Sequence, residues 1–287
     1  MTTNQTTSRQ SAPTAPTRRP ARPNGSLAGL AVLAAATELR ASLRTPEFAA
    51  GAIAIPVILY AMFGLPNASG ILPEGTVVGL VMAVSMCAYG VVSLAIFTFG
   101  EDVAKERGRG WTRTLSATPL PTWVYLAGKL ANALVLGTVI VAAIALLASL
   151  LGGADLPLGT WVQVWLLMLA GVLAFSTLGF AIAFVARPRA AAMIANLVFL
   201  PLAFASGFFV PMNQLPEVLR DIAAFLPTFH FGQLAHHLVM PASDVAFWTG
   251  AETRPLWVHV AWVAGSAVAL GAIALLASRR ESVTRRG

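Results

Sequence analysis

The chain has 287 residues, 57% of them hydrophobic and only 11% charged, against about 25% charged in an ordinary soluble domain. The mean hydropathy is +0.74, and the apolar residues fall in blocks of roughly 17 to 25, the length of a helix that crosses a ~30 Å hydrocarbon layer. The net charge of +7 and the pI near 10.7 do not mark a nucleic-acid partner, because the basic residues sit in a tail and short loops with no stripe and no interleaved aromatics.

An all-α, multi-pass membrane protein follows. Residues 1–25 are Thr, Ser, Pro, Gln and Arg with almost nothing large and apolar, a composition that predicts a disordered cytosolic tail. TRRPARP (Thr17 to Pro23) invites a twin-arginine export reading. The stretch behind it is short, alanine-rich and interrupted by Glu38 and Arg40, so no signal-peptide core follows. Residues 26–278 form the membrane domain and residues 279–287 a second basic tail. The domain opens with a helix that does not cross: Ser26 caps it, Pro46 ends it, and Leu39 and Leu43 share one face while Arg40 and Arg44 share its neighbour. That pattern predicts an amphipathic elbow at the cytosolic interface.

Six spans follow in order. The first is Phe48 to Gly64, with Pro56 inside it, which membrane helices tolerate where neighbours satisfy the freed carbonyl. The second is Val77 to Phe99. It holds Cys87, the one cysteine, which excludes an intrachain disulfide and any multi-cysteine metal site. The third is Trp123 to about Leu151, with Trp123 and Tyr125 as interfacial anchors. Trp161 to Ala186, Ala190 to Val210 and Leu256 to Ser278 complete the set. Lys and Arg cluster on one side, at Arg40, Arg44, Lys105, Arg107, Arg109, Arg113, Lys129, Arg187, Arg189, Arg279, Arg280, Arg285 and Arg286. The other side has only Arg220 and Arg254. This bias places both termini in the cytosol and the protein in the cell membrane as a multi-pass chain.

Between the second and third spans lies EDVAKERGRGWTRTLSATPLP, Glu101 to Pro121, with seven charged residues in its first thirteen positions. Glu101 and Lys105 form an i,i+4 ion pair and Trp111 and Leu115 an apolar one. Gly108 and Gly110 allow a bend between two short helices, and Pro119 and Pro121 stop the second. Such an element either lies solvated at the interface or docks a cytosolic partner.

Three blocks carry a family resemblance. LRTPEF…IPVILYAMFG (Leu43 to Gly64), KERGRGWTRTLSATPLPTWVYLAGK (Lys105 to Lys129) and SGFFVPMNQLPEVLRDIAAFLPTFHF (Ser206 to Phe231) resemble the type 2 ABC-transporter permeases. These are six-span membrane subunits of drug, antibiotic and polysaccharide exporters. The resemblance implies an elbow helix, a cytosolic coupling helix between spans two and three, and short re-entrant helices outside after span five. It implies that the charged element contacts a cytosolic ABC ATPase subunit through Glu101, Lys105, Glu106, Arg107, Gly110, Trp111 and Leu115. The extra residues of GRG, Gly108 to Gly110, depart from the family's pattern. It further implies a second permease subunit, identical or not, and a substrate path near Tyr89, Phe97, Asn196, Phe204 and Ser206. No cofactor is expected on this chain; ATP and magnesium belong to the ATPase.

The remaining polar residues supply the rival readings. Asn196 reads as an interhelical hydrogen bond or a path-lining group. In PMNQLPEVLRDIAAFLP, Asn213 can cap a helix with Leu215, Leu219, Ile222 and Phe225 on one face. His230, His236, His237 and His259 lack zinc-ligand spacing. Gly128-Lys129 is followed by leucine and lacks the upstream glycine of a phosphate loop, so this chain carries no ATPase motif of its own. ASG (Ala205 to Gly207) with His259 resembles the dyad of a rhomboid-like intramembrane serine protease, the alternative function, which would need the Ser206 hydroxyl and the imidazole in hydrogen-bond reach. A passive channel would need a charged or carbonyl-rich filter, and none is legible.

Overall fold

A computed structural model describes residues 27–111, 114, 117, 118 and 121–284. The N-terminal tail with its Ser26 cap, Arg113, Leu115, Pro119 and the last three residues lie outside the described residues. The helices, in order, are α1 (Leu27–Arg44), α2 (Pro46–Leu59), α3 (Val78–Ile96), α4 (Val103–Gly108), α5 (Thr122–Leu151), α6 (Leu158–Val185), α7 (Ala191–Ala205), α8 (Glu217–Ala223), α9 (Pro227–Val239), α10 (Ala242–Thr249) and α11 (Leu256–Thr284). Among the described residues, five apolar helical runs have the length to cross a membrane: Ala50–Asn67, Val78–Gly108, Trp123–Leu151, Leu158–Val185 and Leu256–Arg279. The protein is therefore an all-α, multi-pass membrane protein.

α3 is the axis of the bundle. Nearly every residue of it is buried, from Gly79 to Ile96, and it packs against α2, α5, α6 and α9. Lipid offers no hydrophobic drive between helices, so close approach depends on small side chains. A Cβ at Gly90 would lie 2.8 Å from Ile140 of α5 and 3.0 Å from Pro56 of α2. A Cβ at Gly179 of α6 would lie 2.7 Å from Phe99 and 2.8 Å from the Ala95 carbonyl. α11 is the reverse case: it packs on α6 and α9 and leaves Val260, Val268, Leu275 and Leu276 exposed, which is lipid-facing chemistry.

Four features depart from the sequence reading. The second span does not end at Phe99, with a separate short helix after it. A π-helical turn, Phe97–Asp102, carries α3 into α4, making one run of 31 residues. At 1.5 Å per residue that run is ~46 Å long, some 15 Å more than the hydrocarbon layer. The predicted fifth span, Ala190 to Val210, is a helix of only 15 residues, ~22 Å long. It stops because Ser206 is followed by Gly207 at φ +73°, a left-handed conformation that a helix cannot continue through. Asn213 caps no helix; its amide donates to the Phe247 carbonyl at 2.8 Å and pins α10. α9 and α10 were not anticipated as separate helices.

The contacts define two ends. Gly108 packs under Pro188, where an added Cβ would be 2.9 Å away, so the starts of α5 and α7 and the ends of α4 and α6 share the charged end. At the opposite end the buried Asp244 accepts from the backbone N–H groups of Glu74 at 2.9 Å and Thr76 at 3.3 Å, tying α10 to the α2–α3 connection.

Candidate functional site

The charged stretch folds as a junction of four helices. Its centre is Lys129 of α5, whose side chain is only 5% exposed. A cation in an apolar helix needs anionic partners or it cannot stay charged. Lys129 has two: Glu106 of α4 at 2.8 Å and Glu38 of α1 at 3.4 Å. The Tyr125 hydroxyl, one turn earlier on α5, also donates to Glu106. Close backbone approach makes this geometry reachable, since a Cβ at Gly128 would be 3.0 Å from the Ala34 backbone. Asn132 then donates to the Ser42 hydroxyl at 2.8 Å. Gly128, Lys129 and Asn132 thus fasten α1 along one face of α5.

Arg107 fastens the other side. Its guanidinium donates to the Ala183 carbonyl near the end of α6 and lies 5.1 Å over the Phe184 ring, a cation–π contact. α4 is therefore held between α5 and α6 by adjacent residues of opposite charge. Glu101 and Lys105 make the expected i,i+4 pair, at 2.5 Å. Gly110 sits at φ +82° and supplies the bend that an L side chain resists, while Gly108 supplies close approach to Pro188. The two glycines of GRG thus have different tasks. Lys105, Arg109 and Trp111 remain exposed. Glu106 and Arg107 turn inward, so the outward set is narrower than the seven residues of the sequence reading. Leu115 lies outside the described residues.

The substrate-path candidates separate into two groups. Tyr89 and Phe97 line a cavity of about 230 Å³ between α2 and α3, together with Glu101 and Pro56. Their rings continue a chain of aromatic contacts: Phe97 to Phe199, Phe199 to Tyr89, Tyr89 to Phe209, and Phe209 to Phe204, with centroids 4.7 to 5.6 Å apart. Asn196 is elsewhere. It is exposed on α7 and donates to the Ala192 carbonyl of its own helix at 2.9 Å, so the interhelical bond expected of it is not made. It shares its exposed surroundings with Met193, Leu197, Leu200 and Phe204. Ser206 is buried at the end of α7, its hydroxyl 2.5 Å from that of Thr228.

That last bond bears on the protease alternative. Ser206 is paired with Thr228, and His259 with His230 through their Nδ1 atoms at 2.8 Å. The dyad the alternative requires is not assembled. Among the described residues no group of three His, Cys, Asp or Glu side chains is placed to hold a metal ion.

Residues 31–239, from α1 to the end of α9, match the ABC-2 type transporter family. The chain belongs to that family. Curated relatives agree with this ABC-2 assignment. The "Putative transport permease YvfS" of Bacillus subtilis is 28% identical over 207 residues, covering 72% of this chain and 84% of its own. The "Inner membrane transport permease YhhJ" of Escherichia coli is 25% identical over 192 residues, 66% of this chain, and this chain spans about half (49%) of its length. An ABC-2 permease is a transport protein and not a catalyst, and the junction around Lys129 lies wholly inside the matched region.

Sequence reasoning missed Lys129, Glu38 and Tyr125 as one unit. The signal was present: Lys129 is the one charged residue between Thr122 and Leu151, and an isolated cation in such a run demands a carboxylate from another helix.

Proposed function

We propose that this chain is the membrane subunit of an ATP-driven exporter, working as a pair of permease subunits with two separate cytosolic ABC ATPase subunits. On this reading the charged end is cytosolic, α1 is the elbow, α4 with the residues that follow is the coupling helix, and α7 serves as a sixth, short span. Elements between α7 and α11 sit outside. The observation that carries the proposal is the Glu38–Lys129–Glu106 network with the Arg107 clamp. It joins the protruding end of the α3–α4 run to α1, α5 and α6 without a flexible link. ATP binding would draw the ATPases together and push on α4; the differential affinity of the two states for nucleotide gives the cycle direction. The exposed stripe of α7, Met193, Leu197, Leu200 and Phe204, suits a second permease copy. The aromatic chain behind it suits an amphiphilic cargo such as a drug, an antibiotic or a lipid. The named relatives are permeases of transport systems, which supports a transport role.

The test uses the exposed Arg109 and Leu115 of the sequence reading. Tagged permease is purified from native membranes at matched levels, and copurified ATP hydrolysis is measured. Arg109→Glu and Leu115→Asp should each lower the copurified activity by about tenfold, because an interface tolerates neither a reversed charge nor a buried carboxylate. Permease accumulation should not change. Undiminished ATPase in both variants would refute the coupling role and leave an interfacial helix.

A further inference from the structure

One cavity at the end opposite α4 has a volume of about 530 Å³ and lies among α8, α9, α10 and the start of α11. Its size is that of an ordinary small-ligand site, and its lining is polar in an unusual way. Arg220 and Arg254 both face it, and among the described residues neither is ion-paired. The Arg220 Nε is buried without a hydrogen-bond partner. A buried donor left unmatched costs about 1–3 kcal/mol, so the arrangement is incomplete as it stands.

The histidines add acceptors of defined direction. His230 Nε2 lies 3.0 Å from the Ala224 carbonyl, and a carbonyl only accepts, so that nitrogen carries the proton. In the neutral ring Nδ1 is then a bare acceptor, and it takes the Nδ1–H of His259 at 2.8 Å. Burial lowers the pKa of His230 below that of a free imidazole, which keeps the ring neutral. His259 is thereby left with a bare Nε2. This residue is 2% exposed, its Nε2 has no partner, and it lines the cavity. His237 Nδ1 donates to the Gln233 carbonyl at 2.8 Å, and its ring lies 5.6 Å from that of His259.

The cavity therefore offers two guanidiniums for an anion and the His259 Nε2 lone pair for an N–H or O–H donor. Three carboxylates, Glu217, Asp221 and Glu252, share the lining. Three acids against two arginines leave one net negative charge among these side chains. A bare anion is poorly served by that balance; an anion carrying its own cation is well served.

We propose that this cavity binds a phosphate ester bearing a primary ammonium group, the chemistry of an ethanolamine phosphate head group. Arg220 and Arg254 hold the phosphate by charge-assisted hydrogen bonds. His259 Nε2 accepts an ammonium N–H, and the carboxylates balance the remaining charge. Phe225 and Phe229 line the same cavity and offer apolar surface to any chain attached to the head group. The site stands without the export reading, because binding is measured on the permease alone.

Full-length permease in maltoside micelles is titrated calorimetrically with O-phosphoethanolamine, phosphocholine, inorganic phosphate and dihexanoyl phosphatidylethanolamine. O-Phosphoethanolamine should bind saturably. Phosphocholine, which has no ammonium N–H, and inorganic phosphate, which has no cation, should each bind about tenfold more weakly. Arg254→Gln, at an exposed position, should weaken O-phosphoethanolamine by about tenfold while leaving the melting temperature unchanged, and His259→Gln should abolish the preference over phosphocholine. Tighter binding of the dihexanoyl lipid than of its soluble head group identifies a membrane amphiphile as the source; equal binding identifies a soluble phosphate ester. If phosphocholine matches O-phosphoethanolamine on the unaltered protein, or if Arg254→Gln binds as well as the parent, the proposal is overturned. The phosphocholine comparison decides even where His259→Gln fails to fold.

Discussion

Lys129→Met removes the one charge that three helices share while keeping the volume and length of the side chain. Stripping one partner from a fully buried ion pair costs about 3–5 kcal/mol, because the other charge stays buried and unpaired. Here the abandoned carboxylates are less trapped. The side chains of Glu106 and Glu38 are 28% and 24% exposed, and Glu106 keeps the Tyr125 hydroxyl. The loss should therefore fall toward the value of a charge-assisted hydrogen bond, about 2 kcal/mol, which corresponds to a melting point lower by about 5 °C in a chain of this size. Thermal melting of the detergent-solubilised protein reads it directly. Glu106→Gln alone should cost less, and the double variant Lys129→Met/Glu106→Gln should cost clearly less than the two singles added, since each removes the same interaction. Strict additivity, or a Lys129→Met protein that melts with the parent, would refute the account of the junction.

Other perturbations probe separate parts. Gly179→Val places a branched side chain where even a Cβ would be 2.7 Å from Phe99; it should part α6 from α3 and cut the yield of folded protein severalfold, read by size-exclusion chromatography. Gly110→Ala forces an L residue to φ +82°, at a cost of about 1–2 kcal/mol, and should reduce copurified ATPase without lowering permease accumulation. Burial, and secondarily His237, press the pKa of His236 down to about 3. The unfolded chain then binds its proton first as pH falls below ~6.5, and stability should decline from there toward pH 3, by about 2 kcal/mol at pH 5. Melting curves from pH 8 to 5 check this, and His236→Asn should flatten them. With Cys87 replaced, a cysteine at Arg109 should be shielded from an impermeant thiol reagent in intact cells and one at Asn67 labelled; labelling at Arg109 would reverse the proposed orientation.

Composition alone made the membrane class legible, because blocks of apolar residues leave few other structures that satisfy their backbone. All five long helices begin within three residues of their expected positions, since Pro and interfacial Trp mark most of those ends. The end of the second span was misplaced: charge at Glu101 looks like an exit from the membrane, yet a helix need not end where the hydrocarbon does. Ala190 to Val210 is apolar throughout, and hydropathy does not register that Gly207 halts the helix. In the charged stretch the i,i+4 pair was readable from local spacing. Glu38, Glu106 and Lys129 were not readable as a set, because they are far apart in the chain and no local period links them. The aromatic chain from Phe97 to Phe204 has the same character.

The enclosure of α3 has a consequence for how the protein is made. α3 leaves the ribosome second among the long helices, yet most of what covers it is synthesised later: α5, α6 and finally α9. Until they arrive its small-residue surface meets lipid. Ser85 shows how a polar group on that surface is provided for. Its hydroxyl donates to the Val81 carbonyl one turn back, at 3.0 Å, a bond the isolated helix can already make. The same oxygen then accepts from His236 Nε2 at 2.9 Å, from a residue 151 positions further along. Local satisfaction lets the helix wait in the bilayer, and the late bond fixes its final rotation once α9 closes over it.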